Sequence, residues 1–170
     1  MIRNRAAREK AIALLSMYGL TTPPIDVKAI AEELGFDIVL FPFPDTMSAV
    51  LRINDSKKVI AVNHSQSEVR QRFSVAHELG HYLSGHEDYS HDRVVAVEYE
   101  NKYNNPMYLM EQEADEFAAE LLMPSFLLRK ELVKDRSDAK DLAKKYSVSE
   151  QAMWIQLINL MQTDENRLSF

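Results

Sequence analysis

The sequence predicts an α+β fold: a small antiparallel sheet of about three strands, packed with helices and followed by a helical C-terminal part. Three short apolar runs at 36–41, 48–53 and 58–62 lie close together, separated by Pro42, Pro44 and the turn-rich Asn54-Asp55-Ser56. Apolar residues at helical spacing precede and follow that cluster. The pentad His77-Glu78-Leu79-Gly80-His81 falls within the most clearly bounded of those helices.

Taken in order, Ala7, Ala11, Leu14, Leu15 and Tyr18 fall at helical spacing and mark an amphipathic first helix. It does not read as a signal peptide: charges run on to Glu9 and Lys10, the apolar run is short, and no A-x-A site follows. Thr21-Thr22-Pro23-Pro24 breaks the helix. Asp26 is placed to cap a second helix over 27–34, which Gly35 closes. The strands come next. Ser65-Gln66-Ser67-Glu68 has the form of a capping box, with Ser65 as N-cap and Glu68 at the third helical position. It opens a helix over 66–84 that stops at Gly85. Residues 86–109 read as a long polar loop with a short apolar patch at 94–97. A helix over 111–123 ends at Pro124, and Ser125 caps another that runs through Lys134. Two more cover 138–146 and 150–161, split by Ser147-Val148-Ser149.

The chain has 170 residues, 46% of them apolar, which suits one globular domain or one with a small appendage. A net charge of -6 argues against a broad nucleic-acid footprint. The absence of cysteine excludes disulfide scaffolds, Cys-type zinc fingers and thiol catalysis. It leaves His, Asp and Glu as metal ligands and fits a reducing cytosol. No segment is long and apolar enough to span a membrane.

Histidines four apart on a helix stack on one face, so His77 and His81 can reach one metal ion with Glu78 beside them. Phe73, Gly80 and Ser84 share that face, whereas Val75, Leu79, Tyr82 and Leu83 lie on the far side as anchors. Gly80 suits a close approach to the helix backbone, by a ligand or by packing. On the 111–123 helix, Glu111, Ala114, Asp115, Ala118 and Leu122 line one inward face. Glu113, Glu116 and Glu120 cluster opposite and read as solvated. A carboxylate on an apolar face is costly unless paired or metal-bound, so Glu111 is the preferred third ligand and Glu113 the alternative. Asp115, one turn on, can accept from the second nitrogen of a ligand histidine and fix its tautomer.

RFSVAHELGHYLSGH (72–86) followed by EQEADEFAAELLMP (111–124) resembles the ImmA/IrrE family of bacterial and phage metallopeptidases, over about residues 26–125. The resemblance implies a zincin-like metallopeptidase domain at 1–125 and a helical, helix-turn-helix-like extension at 126–170 that packs on the first domain or helps dock the substrate. It implies one zinc per chain on His77, His81 and Glu111, with Glu78 as catalytic base. It also implies endopeptidase activity, which in the best-described members is directed at helix-turn-helix repressors that silence a mobile element or prophage. This chain has Asp115 where many members have Asn. Some members are regulators whose proteolysis is hard to detect in isolation.

The expected chemistry is metal-assisted peptide hydrolysis, with Glu78 moving the proton from water to the leaving amine. An added donor for the oxyanion could come from Tyr82, His86, His91 or Tyr103. Tyr82 points toward the core, and the plainer reading of His86 is a surface or capping histidine; His64 has no evident role. The segment 141–160 has a helix-turn-helix pattern, and 129–145 is locally basic. These features define the rival reading, a DNA-binding or toxin-type regulator with a structural or vestigial zinc site. Against DNA binding, the second helix carries few Arg or Lys. The expected partner is a protein substrate in the cytoplasm, with no membrane and no nucleic acid.

Overall fold

A computed structural model of the chain describes residues 2–86, 105–134 and 138–168. In chain order the elements are α1 (Ile2–Met17), α2 (Val27–Glu33), β1 (Phe36–Phe41), β2 (Ala49–Asn54), β3 (Lys57–Asn63), α3 (Glu68–Leu83), α4 (Pro106–Leu122), α5 (Ser125–Lys134), α6 (Ala139–Tyr146) and α7 (Glu150–Leu168). This is the expected α+β architecture with a helical C-terminal part. Among the described residues no helix is long and apolar enough to cross a membrane. Most of the long loop expected at 86–109, with its apolar patch at 94–97, lies outside the described residues.

The sheet is not wholly antiparallel as expected; it is mixed, in the order β1-β3-β2. β2 and β3 pair antiparallel, from Ala49 opposite Val62 to Asn54 opposite Lys57. β1 pairs parallel to β3, with Phe36 opposite Lys58 and Phe41 opposite Asn63. Successive strands do alternate in direction, but β3 inserts between β1 and β2, so its two neighbours run opposite ways. The hairpin is closed by Asn54, whose Oδ1 accepts from the N–H groups of Ser56 and Lys57.

Asn63, at the end of β3, is fully buried and organises the approach to α3. Its Nδ2 donates to the carbonyls of Phe43, Pro44 and Met47 at 3.2, 3.1 and 2.8 Å. Its Oδ1 accepts from the Ser65 N–H at 3.0 Å and the Ser65 hydroxyl at 2.8 Å. Ser65 is therefore engaged in an Asx turn and does not cap the helix as expected. The N-cap is Ser67, whose hydroxyl accepts from the Arg70 N–H at 3.4 Å. Glu68 accordingly takes the first helical position.

α3 packs on the sheet and on α4. Val75, Ala76 and Leu79 join Ile60 and Val62 of β3 and Phe117, Ala118 and Leu121 of α4 in the core. Gly80 marks the crossing of the two helices. A Cβ there would lie 3.0 Å from the Ala114 Cα and carbonyl oxygen and 3.2 Å from the Phe117 Cβ. Of its two readings, the structure supplies the packing one. α4 begins at Pro106, five residues before the expected start, because Asn105 accepts from the Met107 N–H and Pro106 occupies the first turn.

The acidic face of α4 is not solvated as the periodicity implied. Glu116 pairs with Arg8 at 2.7 Å and Glu113 with Lys10 at 3.3 Å, both from α1. Glu120 is buried and accepts from the N–H and hydroxyl of Ser125, both at 2.8 Å, and from Gln156 of α7 at 3.3 Å. Ser125 therefore gives its hydroxyl proton to Glu120, and the Pro124 carbonyl accepts the first α5 N–H groups, from Leu127 and Leu128. Every acid on this face has a partner from a segment remote or outside the helix, which wheel geometry alone does not reveal. α6 is capped by Asp138, and Ser147 in the left-handed region (φ 52°) turns the chain into α7. Leu142, Tyr146, Met153, Leu157 and Leu160 close over the same core as α4.

Candidate metal centre

α3 and α4 bring His77, His81 and Glu111 together, with one ligand-type atom from each within 4.8 Å of the others. The two Nε2 atoms are 3.0 Å apart. The Glu111 carboxylate reaches them at 3.2 Å (His77) and 3.4 Å (His81). The close crossing at Gly80 lets a side chain from α4 meet the histidines, which lie on either side of it along α3.

The opposite nitrogens are also occupied. His77 Nδ1 donates to Asp115 Oδ1 at 2.9 Å. His81 Nδ1 lies 3.0 Å from His86 Nδ1, and His86 Nε2 lies 3.6 Å from Glu113 Oε2. When each Nδ1 carries the proton, each neutral ring turns a lone pair toward Glu111. Three electron-donating atoms then converge on one point, an arrangement that needs a cation. In the bare protein a proton can meet that need. Burial acts against the charged His77 imidazole, but hydrogen bonds to Asp115 and Glu111 outweigh it and hold its pKa up at about 10. Burial would raise Glu111, yet the two histidines pull it well below the usual carboxylate range. The donor set of two imidazoles and one carboxylate suits zinc and leaves a position for water or substrate.

Glu78 is buried beside this group, and its Oε2 has no hydrogen-bond partner among the described residues. Burial raises its pKa, against the pull of His77 and His81. It lines an open cavity of about 460 Å³ together with His77, Glu111 and Asp115. Thr46 to Ala49 also line the cavity, a segment that Asn63 fixes through the Met47 carbonyl.

The other sequence candidates fall elsewhere. His86 is buried against the far nitrogen of His81, not in front of the three converging atoms where an oxyanion donor would stand. Burial, with His81 adjacent, lowers its pKa. Glu113, the alternative ligand, stands behind His86 and is shared with Lys10. The Tyr82 hydroxyl accepts from Lys58 at 2.7 Å, and its ring packs edge-on against Phe36. His64 is exposed, and His91 and Tyr103 lie outside the described residues. Lys10, Asn63 and the 46–49 wall were not singled out from sequence. Lys10 comes from α1, and no local pattern announces a contact more than 100 residues away.

An α+β domain whose HExxH helix and following helix offer His, His and Glu to one point is metallopeptidase-like in class. Within that class, residues 31–157 match the IrrE N-terminal-like domain, peptidase M78, and the chain belongs to that family. A solved Mycobacterium tuberculosis transcriptional regulator has a similar fold, with a TM-score of 0.57 at 16% identity. The similarity covers 89% of this chain and 44% of that one, so the chain spans less than half of that protein's length. No curated protein matches the chain.

Proposed function

We propose that the chain is a cytoplasmic zinc-dependent endopeptidase whose substrate is a helix-turn-helix repressor of a mobile element or prophage. The observation that carries the peptidase reading is the convergence of His77, His81 and Glu111 at a groove that Glu78 also lines. The repressor rests on the family resemblance.

His77, His81 and Glu111 would hold the ion. Zinc bound there supplies a Lewis acid that activates water and polarises the scissile carbonyl. The chain does the rest. Asp115 and His86 fix the two imidazoles, so neither ring must reorient to present Nε2. Glu78 accepts the proton that water loses on attack and returns it to the leaving amine. Its burial at the groove and its unpartnered oxygen suit it to hold that proton in between. β2 is an edge strand, and Ser48 and Ala49 at its start line the groove, so an extended substrate can lie beside it through backbone hydrogen bonds.

The test joins two measurements. Purified protein should retain about one zinc per chain, and His77→Ala should lose it. Glu78→Gln should keep zinc while cleavage of a repressor encoded beside the gene falls by at least about 10²-fold, the lower end for a lost general base. Unchanged cleavage by that variant would remove the proposed base. Full zinc occupancy without hydrolysis of any repressor would favour a structural zinc site in a regulator.

A further inference from the structure

A second pocket, of about 290 Å³, adjoins the groove, and Phe73 and Asp115 line both. Asp115 contacts His77 at 2.9 Å, so the pocket opens one side chain away from the proposed ligands. α4 contributes Ala119 and its C-cap residue Met123, and α7 contributes Ala152 and Ile155. These four and Phe73 make the lining largely apolar. Its remaining side chains among the described residues are amides and acids, with no lysine or arginine among them.

Ile155 is 53% exposed, and Ile158, one turn further along α7, is 45% exposed. The packing of α7 onto the core is carried by Met153, Leu157 and Leu160 instead. The fold therefore does not require an isoleucine at 155. A half-exposed apolar edge continuous with a catalytic groove is what a substrate-binding surface looks like.

We infer that this pocket is a side-chain subsite of the peptidase groove. It takes a bulky apolar side chain of the same substrate polypeptide, a few residues from the scissile bond, and rejects an acidic one there. The occupant follows from continuity: a peptide lying over His77 that runs past Asp115 and Phe73 next meets Ala119, Met123 and Ile155. α7 then serves as a specificity element. This inference rests on the proposed peptidase reading.

The test uses the zinc-loaded full chain and tripeptide hydroxamates, which bind zinc but are not cleaved. The hydroxamate is placed at either end, and Phe, Ser or Asp is placed at each position among alanines. Affinity is read by calorimetry. At one position Phe should bind at least ten-fold tighter than Asp. Ile155→Lys should bring that ratio within two-fold, and Ile155→Leu should keep it. Zinc-dependent binding with no such position, or a ratio untouched by Ile155→Lys, overturns the inference and leaves the peptidase reading standing. Failure of every probe to bind in a zinc-dependent way removes the metal reading and the subsite together. A wild-type dimer that Ile155→Lys converts to monomer, without any change in probe ratio, assigns the face to a second copy and also overturns the subsite.

Discussion

His86 shows how one side chain can stand in the right place for a different job. It sits two residues past Ser84, the C-cap of α3, so its sequence position does not fix which side of His81 it meets. It meets Nδ1, and Glu113 and Lys10 follow behind it. Replacing His86 with alanine would remove the imidazole that meets His81 Nδ1 at 3.0 Å. Zinc affinity should fall by about 10–100-fold, the usual effect of losing a group that orients a metal-ligating histidine. Competition against a chromophoric chelator would measure it, and an undiminished affinity would show that His81 needs no such support. Asp115→Ala should act in the same direction but near the lower end of that range, because the Asp115 side chain is 58% exposed and water can replace it. At this scale the sequence was informative. Spacing alone placed His77, Glu78 and His81 on one helix, apolar periodicity selected Glu111, and Asp115 stood one turn beyond. It missed Lys10 and the true setting of Glu113, because the contact between α1 and α4 has no local signature.

Between elements, the crossing of α3 and α4 decides whether the proposed ligands meet. Gly80→Ala sets two effects against each other. Alanine favours the helix by about 1 kcal/mol. The new Cβ would lie 3.0 Å from backbone atoms of Ala114, which cannot rotate away, and overpacking of this kind costs about 1–3 kcal/mol. Overpacking should win, so the denaturation midpoint should fall. Because relief requires α4 to back off, Glu111 should move from the histidines and zinc affinity should drop as well. A variant that is more stable and binds zinc normally would show that the helices have slack. Glu120 tests a second joint. Burial pushes its pKa up, while Ser125 and Gln156 supply the hydrogen bonds that offset that cost. Glu120→Ala would strand those donors and should destabilise the chain by about 1–3 kcal/mol in urea unfolding. Strand and helix positions were mostly legible because period and turn residues are local properties. The parallel pairing of β1 with β3 was not, since Phe36–Phe41 and Lys57–Asn63 pair with β2 lying between them in sequence. The N-cap slipped by two residues because Asn63 competes for Ser65, a contact that depends on where β3 ends.

Across the whole molecule, the segments on either side of residue 125 pack into one core. Phe117, Leu121 and Leu122 of α4 pack in the same cluster as Leu128, Leu142, Tyr146, Met153 and Leu160. The family match likewise runs on to residue 157, into α7. A segment so joined should not melt by itself. Urea unfolding followed by far-UV circular dichroism and by fluorescence of Trp154, the single tryptophan, should therefore give coincident transitions. The metal provides the sharper version of this test. Zinc that binds only the folded state at 1,000 times its dissociation constant adds about 4 kcal/mol of stability. Its proposed ligands lie on α3 and α4, while Trp154 lies on α7. If Glu120, Gln156 and the shared core bind these helices into one cooperative unit, zinc must raise the Trp154 midpoint by as much as the dichroism midpoint. A tryptophan transition that stays put while the other moves would show that 126–170 folds independently, and that the helical part only leans on the metal-binding part.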